Sequence, residues 1–445
     1  MTRAKISSFC LAALLAAPAC GAAWAQSPAA APAPAPATAA PVPAPAAPAP
    51  APAAPGTPQA AVSGAEAGAP KPKPKPKPPA PPRETALSDD PTPVLQPETF
   101  FTTSKASQRY AQIVDLGGWP SVGVPLRAGA KGPAVVALRR RLAAEDDAVT
   151  DTRKQSWDAE LTAAVKRFQF RMGLKQTGVV AGATLRALDV PADVRFRQLA
   201  SSAQRLAGVD FPFGERYIVV NIPSTAVDAV ENDRVVRRYA AIVGDPEHHS
   251  PEVQAKIVAV NINPTWTVPT SIIKNEIAPK MLKDPGYLTR SRIRVLNNRG
   301  EEVDPRSINW ASERAVNYTL RQDSGTGNSL GSIRIAMPNP HSVYMHDTPS
   351  RNLFASDYRF LSHGCVRVQG VVDLAAWLLD GANGPALSKL EIEAKIAIGE
   401  REEVKLARPV PVVWVYMTGW ASADGRVHFR DDVYHLDEAG GVAEQ

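Results

Sequence analysis

Between residues 120 and 190 the apolar positions fall at helical spacing. Val135, Leu138 and Leu142 stand at i, i+3 and i+7, and Leu161, Val165 and Phe168 at i, i+4 and i+7. Each trio lines one face of a helix. Asp158 precedes the second run where an N-cap is needed. Gly173, Gly178 and Gly182 then punctuate a turn before a short helix through Leu185 and Leu188. The pattern predicts a small three-helix unit over 120–190 and a connecting helix within 191–214.

From about 215 the period changes to two. Tyr217–Asn221, Val235-Val236, Tyr239–Val243 and Ile257–Asn261 are β-branched or aromatic runs, which read as strands. A helix from Ser271 to about Leu282 follows, then a hairpin from Arg292 to Val303 turning at Asn297-Asn298-Arg299-Gly300. Strands resume at Ser332–Met337 and Ser342–Met345, and a helix from Val371 to Leu379 stops at Gly381. The expected fold class is α+β: a mostly β domain over 215–400, carrying a polar, turn-rich lid-like insertion at about 270–328, plus the three-helix unit. Val412–Tyr416 and Trp420 suggest one more strand inside a C-terminal extension, 401–445.

Composition adds what lies upstream. Residues 1–25 have the layout of a secretory signal peptide: Arg3 and Lys5, an apolar run from Phe9 to Ala17, and the small-x-small site Ala23-Trp24-Ala25. An uncleaved anchor or a lipid-modified Cys20 are the alternatives. The 26–98 stretch is rich in Ala, Pro and Lys and reads as a semi-rigid linker. Of the 3 cysteines, Cys10 and Cys20 leave with the signal, so Cys365 remains as a lone thiol in an oxidising compartment. The net charge of +6 is mild, and no aromatic-interleaved basic face argues for nucleic acid.

Ser362-His363-Gly364-Cys365-Val366-Arg367 is the most informative run. A thiol nucleophile needs a lowered pKa, an imidazole in reach and donors aimed at the developing oxyanion. Gly364 permits a tight turn, the helix at Val371 offers a positive N-terminus, and Arg367 suits a carboxylate-bearing substrate. His346, at a strand end 19 residues before Cys365, is the expected general base, with His363 shaping the loop. Ser362 either hydrogen-bonds into the site or caps the loop. Trp266, Tyr344 and His341 are candidate substrate contacts, although residues like the first two are more often core and the third follows Asn339-Pro340 as a turn residue would. His248-His249 has no spaced carboxylate or thiol, so no metal is expected. Spacing alone implies a Cys–His acyl-transfer enzyme.

His346-Asp347-Thr348 with Ser362-His363-Gly364-Cys365-Val366-Arg367 resembles the active-site signature of the L,D-transpeptidases. Asn263–Pro269 and Leu330-Gly331-Ser332-Ile333 resemble flanking segments of the larger periplasmic members with an inserted lid. Leu126–Gly129, Val135–Leu138, Ala164–Gln169, Gly178 and Thr184-Leu185 resemble a peptidoglycan-binding domain. Asp347 departs from the glycine common at that position, where the backbone carbonyl is thought to orient the histidine. The resemblance implies a periplasmic, monomeric enzyme acting on peptidoglycan stem peptides and glycan without a cofactor. Its thioester on Cys365 would pass to a second stem, giving a 3–3 cross-link. Water, or a lysine of an outer-membrane lipoprotein, would be the alternative acceptor, and an inert wall-binding scaffold the non-enzymatic reading.

Overall fold

The computed structural model describes residues 83–145, 148–381 and 386–438. The signal-peptide reading, residues 26–82 of the linker reading and the final residues of the C-terminal extension lie outside them. Five helices come first: α1 Thr99–Asp115, α2 Pro133–Ala143, α3 Ala159–Arg171, α4 Gly182–Leu188 and α5 Ala192–Leu206. The predicted faces of α2 and α3 are fully buried, and the Asp158 side chain accepts from the Leu161 N–H at the start of α3.

Strands β1 Arg216–Asn221, β2 Ala226–Glu231, β3 Arg234–Gly244 and β4 Val253–Ile262 open the main sheet. The insertion supplies β5 Trp266–Thr267, β6 Ile293–Leu296, β7 Glu302–Val303 and β8 Thr319–Gln322. The main sheet resumes with β9 Ile333–Ala336, β10 Met345–His346, β11 Phe360–Ser362, β12 Val366–Val368 and β13 Glu402–Val415. The hairpin β14 Gly419–Ala421 and β15 Val427–Phe429 follows. The main sheet runs β11-β3-β12-β10-β9-β4-β13-β1-β2, and because β3 also pairs with β2 the ladder closes on itself. Closure pairs every strand of the ring on both sides and leaves β11, paired with β3 alone, as its outlying strand. Alternation along β1 serves two cores: Ile218 and Val220 face the interior with Met345, Val366 and Trp414, while Tyr217 and Val219 pack with Leu95, Leu206 and Phe211.

Four expectations need correction or refinement. Residues 83–98 are not linker: Lys175 and Ala86 exchange backbone hydrogen bonds with Glu84 and Gly173 at 2.8 and 2.9 Å, and Leu95 is buried under the Tyr217 hydroxyl that donates to its carbonyl. The strand expected in the C-terminal extension is an interior one: β13 lies inside the sheet, parallel to β1 and antiparallel to β4. Beyond it, Ala421, Val427 and Phe429 join the core of the helical unit with Leu138 and Phe168. The insertion is polar outside only. Its helical stretch, with a π turn at Ile273–Ile277, buries Ile273, Ile277 and Met281 against Val295 and Leu320, and the predicted hairpin pairs Val295 with Val303. Finally, Ser342–Met345 is strand only at Met345. Ahead of it Asn339 draws the backbone into a turn, accepting from His341 N–H and donating to the Val343 carbonyl, with Ser342 at φ +56°.

Candidate active site

β10 and β12 run parallel, with Met345 beside Val366 and His346 beside Arg367. The register carried back one residue puts Tyr344 beside Cys365, and Val366 N–H donates to the Tyr344 carbonyl at 3.1 Å. Side chains alternate across a strand. Met345 and Val366 therefore go to the core, and Tyr344, His346, Cys365 and Arg367 share the other face. β9 adds Arg334 to the same row, since it pairs with His346. Its guanidinium lies 4.7 Å from the centre of the Tyr344 ring. Sequence reasoning missed Arg334, although Ile333-Arg334-Ile335 alternates as a half-buried strand should.

The electrostatics favour a neutral resting pair. Burial pushes the Cys365 thiol up, against the opposing influence of Tyr344, Arg334 and Arg367. His346 is 5% exposed. Burial, then the Arg367 charge, holds its imidazole down to about 3, while the Asp347 and Leu330 backbone oppose the shift. Its Nδ1 is buried with no well-formed hydrogen bond. Arg367 is half-buried, and among the described residues no carboxylate pairs with it.

The loop that presents the thiol is held from inside. Ser362 Oγ donates to the Cys365 carbonyl at 2.5 Å and accepts from Gly364 N–H at 3.2 Å. Ser250 Oγ donates to the Gly364 carbonyl at 2.8 Å. Gly364 sits at φ +100°, and a Cβ there would meet the His249 carbonyl at 3.2 Å, so only glycine fits without strain. The Gly364 N–H is occupied by Ser362 and is no oxyanion donor, whereas among the described residues the Cys365 N–H has no partner. The helix Val371–Leu378 follows β12, which lies between it and Cys365 along the chain.

The remaining candidates separate. The Tyr344 hydroxyl feels both Trp266 and Cys365, which brings Trp266, arriving on β5 of the insertion, to the edge of the site. His363 points to the insertion: its Nε2 meets Glu276 Oε1 at 2.9 Å and its ring lies 4.5 Å from that of His248. His341 stands exposed at the Asn339 turn. Asp347 is buried, accepting at Oδ2 from Ser332 N–H and Oγ and from Arg351, at 3.0, 2.8 and 3.2 Å. A cavity of about 410 Å³ opens beside Arg334, lined by Asn261, Pro264, Thr265 and Thr267.

Residues 215–395 match the family described as "L,D-transpeptidase catalytic domain", and residues 131–188 the "Putative peptidoglycan binding domain". A protein of Haemophilus influenzae named "Putative L,D-transpeptidase" is 34% identical over 250 residues, 56% of this chain and 50% of that protein. The chain thus spans half the length of this relative. Among solved structures, the L,D-transpeptidase from Xylanimonas cellulosilytica is 17% identical, with 65% of this chain and 96% of that one covered at TM-score 0.22. The one from Stackebrandtia nassauensis is 15% identical, covering 65% and 94%, at TM-score 0.24. Likeness of shape at those scores supports no argument. The sequence matches do: the chain carries an L,D-transpeptidase catalytic domain preceded by a peptidoglycan-binding domain.

Proposed function

We propose that the protein is an exported peptidoglycan L,D-transpeptidase with Cys365 as nucleophile and His346 as general base. The observation that carries this is the register of β10 and β12, which sets Tyr344, His346, Cys365 and Arg367 on one face of the sheet. His346, neutral at physiological pH, takes the thiol proton as Sγ attacks the carbonyl of the third stem residue. The tetrahedral oxyanion meets the Cys365 N–H, a contact worth about 3–4 kcal/mol in comparable sites. The C–N bond then breaks, the imidazolium returns its proton to the departing D-Ala amine, and a thioester remains. An acceptor amine attacks that thioester, loses a proton to His346 and displaces the thiol, forming the 3–3 cross-link.

Arg367 and Arg334 are the cations for stem carboxylates, Trp266 and Tyr344 form the wall against which the stem lies, and the helical domain holds the glycan. Incubating the full chain with disaccharide-tetrapeptide, beside Cys365→Ala, tests the reading. A dimer of two substrates less one D-Ala, absent in the variant, supports it. Tripeptide alone moves the assignment to a carboxypeptidase, and no Cys365-dependent product contradicts it.

A further inference from the structure

A second cavity, of about 510 Å³, is enclosed by the segment 84–94, the helical unit, the β1–β2 turn, the approach to β11 and the C-terminal hairpin; neither Cys365 nor His346 lines it. Its size falls within the range of small-molecule sites. Three of its wall residues are arginines that meet only uncharged partners. Arg359, 4% exposed, donates to the Ala241 and Ser356 carbonyls and to Thr225 Oγ. Arg430 donates to the Arg171 and Phe429 carbonyls. Arg195, also 4% exposed, donates to Gln198 Oε1 and the Ala187 carbonyl, and its Nε is buried with no partner.

The carboxylates of the wall are engaged elsewhere. Asp228 holds Arg238, Asp90 meets Arg426, Glu84 caps Ala183 N–H, and Asp357 accepts from the Glu84 and Thr85 backbone. Carboxylates reach these three arginines only through space: Glu145 and then exposed Asp431 act on Arg195, Asp431 on Arg430 and Asp357 on Arg359. Arg430 meanwhile feels Arg195, Arg238 and Arg359 together, and burial with this repulsion brings it down to about 10. A guanidinium does not shed its proton at neutral pH. Burying several with no carboxylate in contact is costly unless something supplies one.

We infer that this cavity binds a small anionic ligand, its carboxylate or phosphate group seated among Arg430, Arg359 and the Nε of Arg195. The site is separate from the catalytic face and does not depend on its assignment.

Thermal melts of the full chain in inorganic phosphate or citrate, against chloride at equal ionic strength, test it. A saturable rise of about 2 °C or more is expected with at least one anion. Response to phosphate alone marks a phosphate site, and response to citrate a carboxylate site. Arg430→Met is expected to melt no lower than the parent without anion, having lost an uncompensated buried charge, and to lose most of the anion's shift. Should it not fold, Arg359→Lys is read instead, with affinity expected to weaken several-fold. No saturable rise with either anion, or unchanged affinity in the variant read, overturns the proposal. So does loss of the effect in Arg367→Met, which would put the anion at the active site.

Discussion

The Asp347 carboxylate holds both the backbone N–H and the hydroxyl of Ser332, at 3.0 and 2.8 Å. Between them Gly331 stands at φ +61°, where a Cβ would come within 2.5 Å of the Asp347 side chain. This clamp fixes the strand entry whose preceding residue, Leu330, acts through its backbone on His346. In the proposed mechanism this clamp orients His346 from behind, and Asp347 stands where the resemblance to the L,D-transpeptidases leads one to expect glycine.

Breaking the clamp is expected to cost activity and stability together. Asp347→Ala leaves two half-buried donors of Ser332 without their carboxylate, worth about 1–3 kcal/mol, and frees Leu330 from its register with His346. A lowered Tm and a kcat/KM reduced about 10–100-fold on muropeptide are expected. A melt shifted downward with kcat/KM unchanged would separate the clamp from catalysis.

Tyr344→Phe removes a hydroxyl that favours the thiolate. The fraction of Cys365 ionised at pH 7 falls, so alkylation by iodoacetamide is expected to slow by about 3–10-fold. The midpoint of its pH profile is expected to move upward. Equal rates in parent and variant would remove Tyr344 from the thiol's environment.

Arg367→Met is expected to raise KM for the tetrapeptide and to lower kcat/KM about 10–100-fold, the loss of one charge-assisted contact. Steady-state kinetics on the amidated stem distinguishes the cause. Where the stem carboxylate is already neutral, the two proteins should differ little.

His346 gives stability an acid limb. Its folded pKa, about 3, lies below the unfolded value of roughly 6.5. Between these the unfolded chain binds a proton that the folded chain does not, so stability rises with pH. On acidification from pH 6.5 toward 3 this group alone removes up to about 1.4 kcal/mol per pH unit. Denaturant titrations across that range are expected to show a shallower slope in His346→Gln, and an identical slope would contradict the buried neutral imidazole.

Much of this was legible before the structure because the signals were local. The buried faces of α2 and α3, the Asp158 cap, the Asn297–Gly300 turn and the Cys365 run each depend on spacing within a few residues. What was not legible depended on partners far along the chain. β13 reads as an isolated apolar run, and only β1 and β4, whose paired residues lie 140 or more positions away, make it an interior strand. Residues 83–98 look like the end of a linker until Leu95 meets Tyr217. In the site, Tyr344 was undecided between core and cleft because its role rests on the β10–β12 register. Arg334 went unseen because it reaches the row across β9.

The most direct test is intact-mass analysis of the full chain quenched in acid during turnover of disaccharide-tetrapeptide. An adduct equal to the substrate less D-Ala, mapped to Cys365 and absent in Cys365→Ala, is the predicted result. It should accumulate more slowly in His346→Gln. Product formed by wild-type enzyme with no adduct on Cys365, or the same adduct on another residue, would contradict the account.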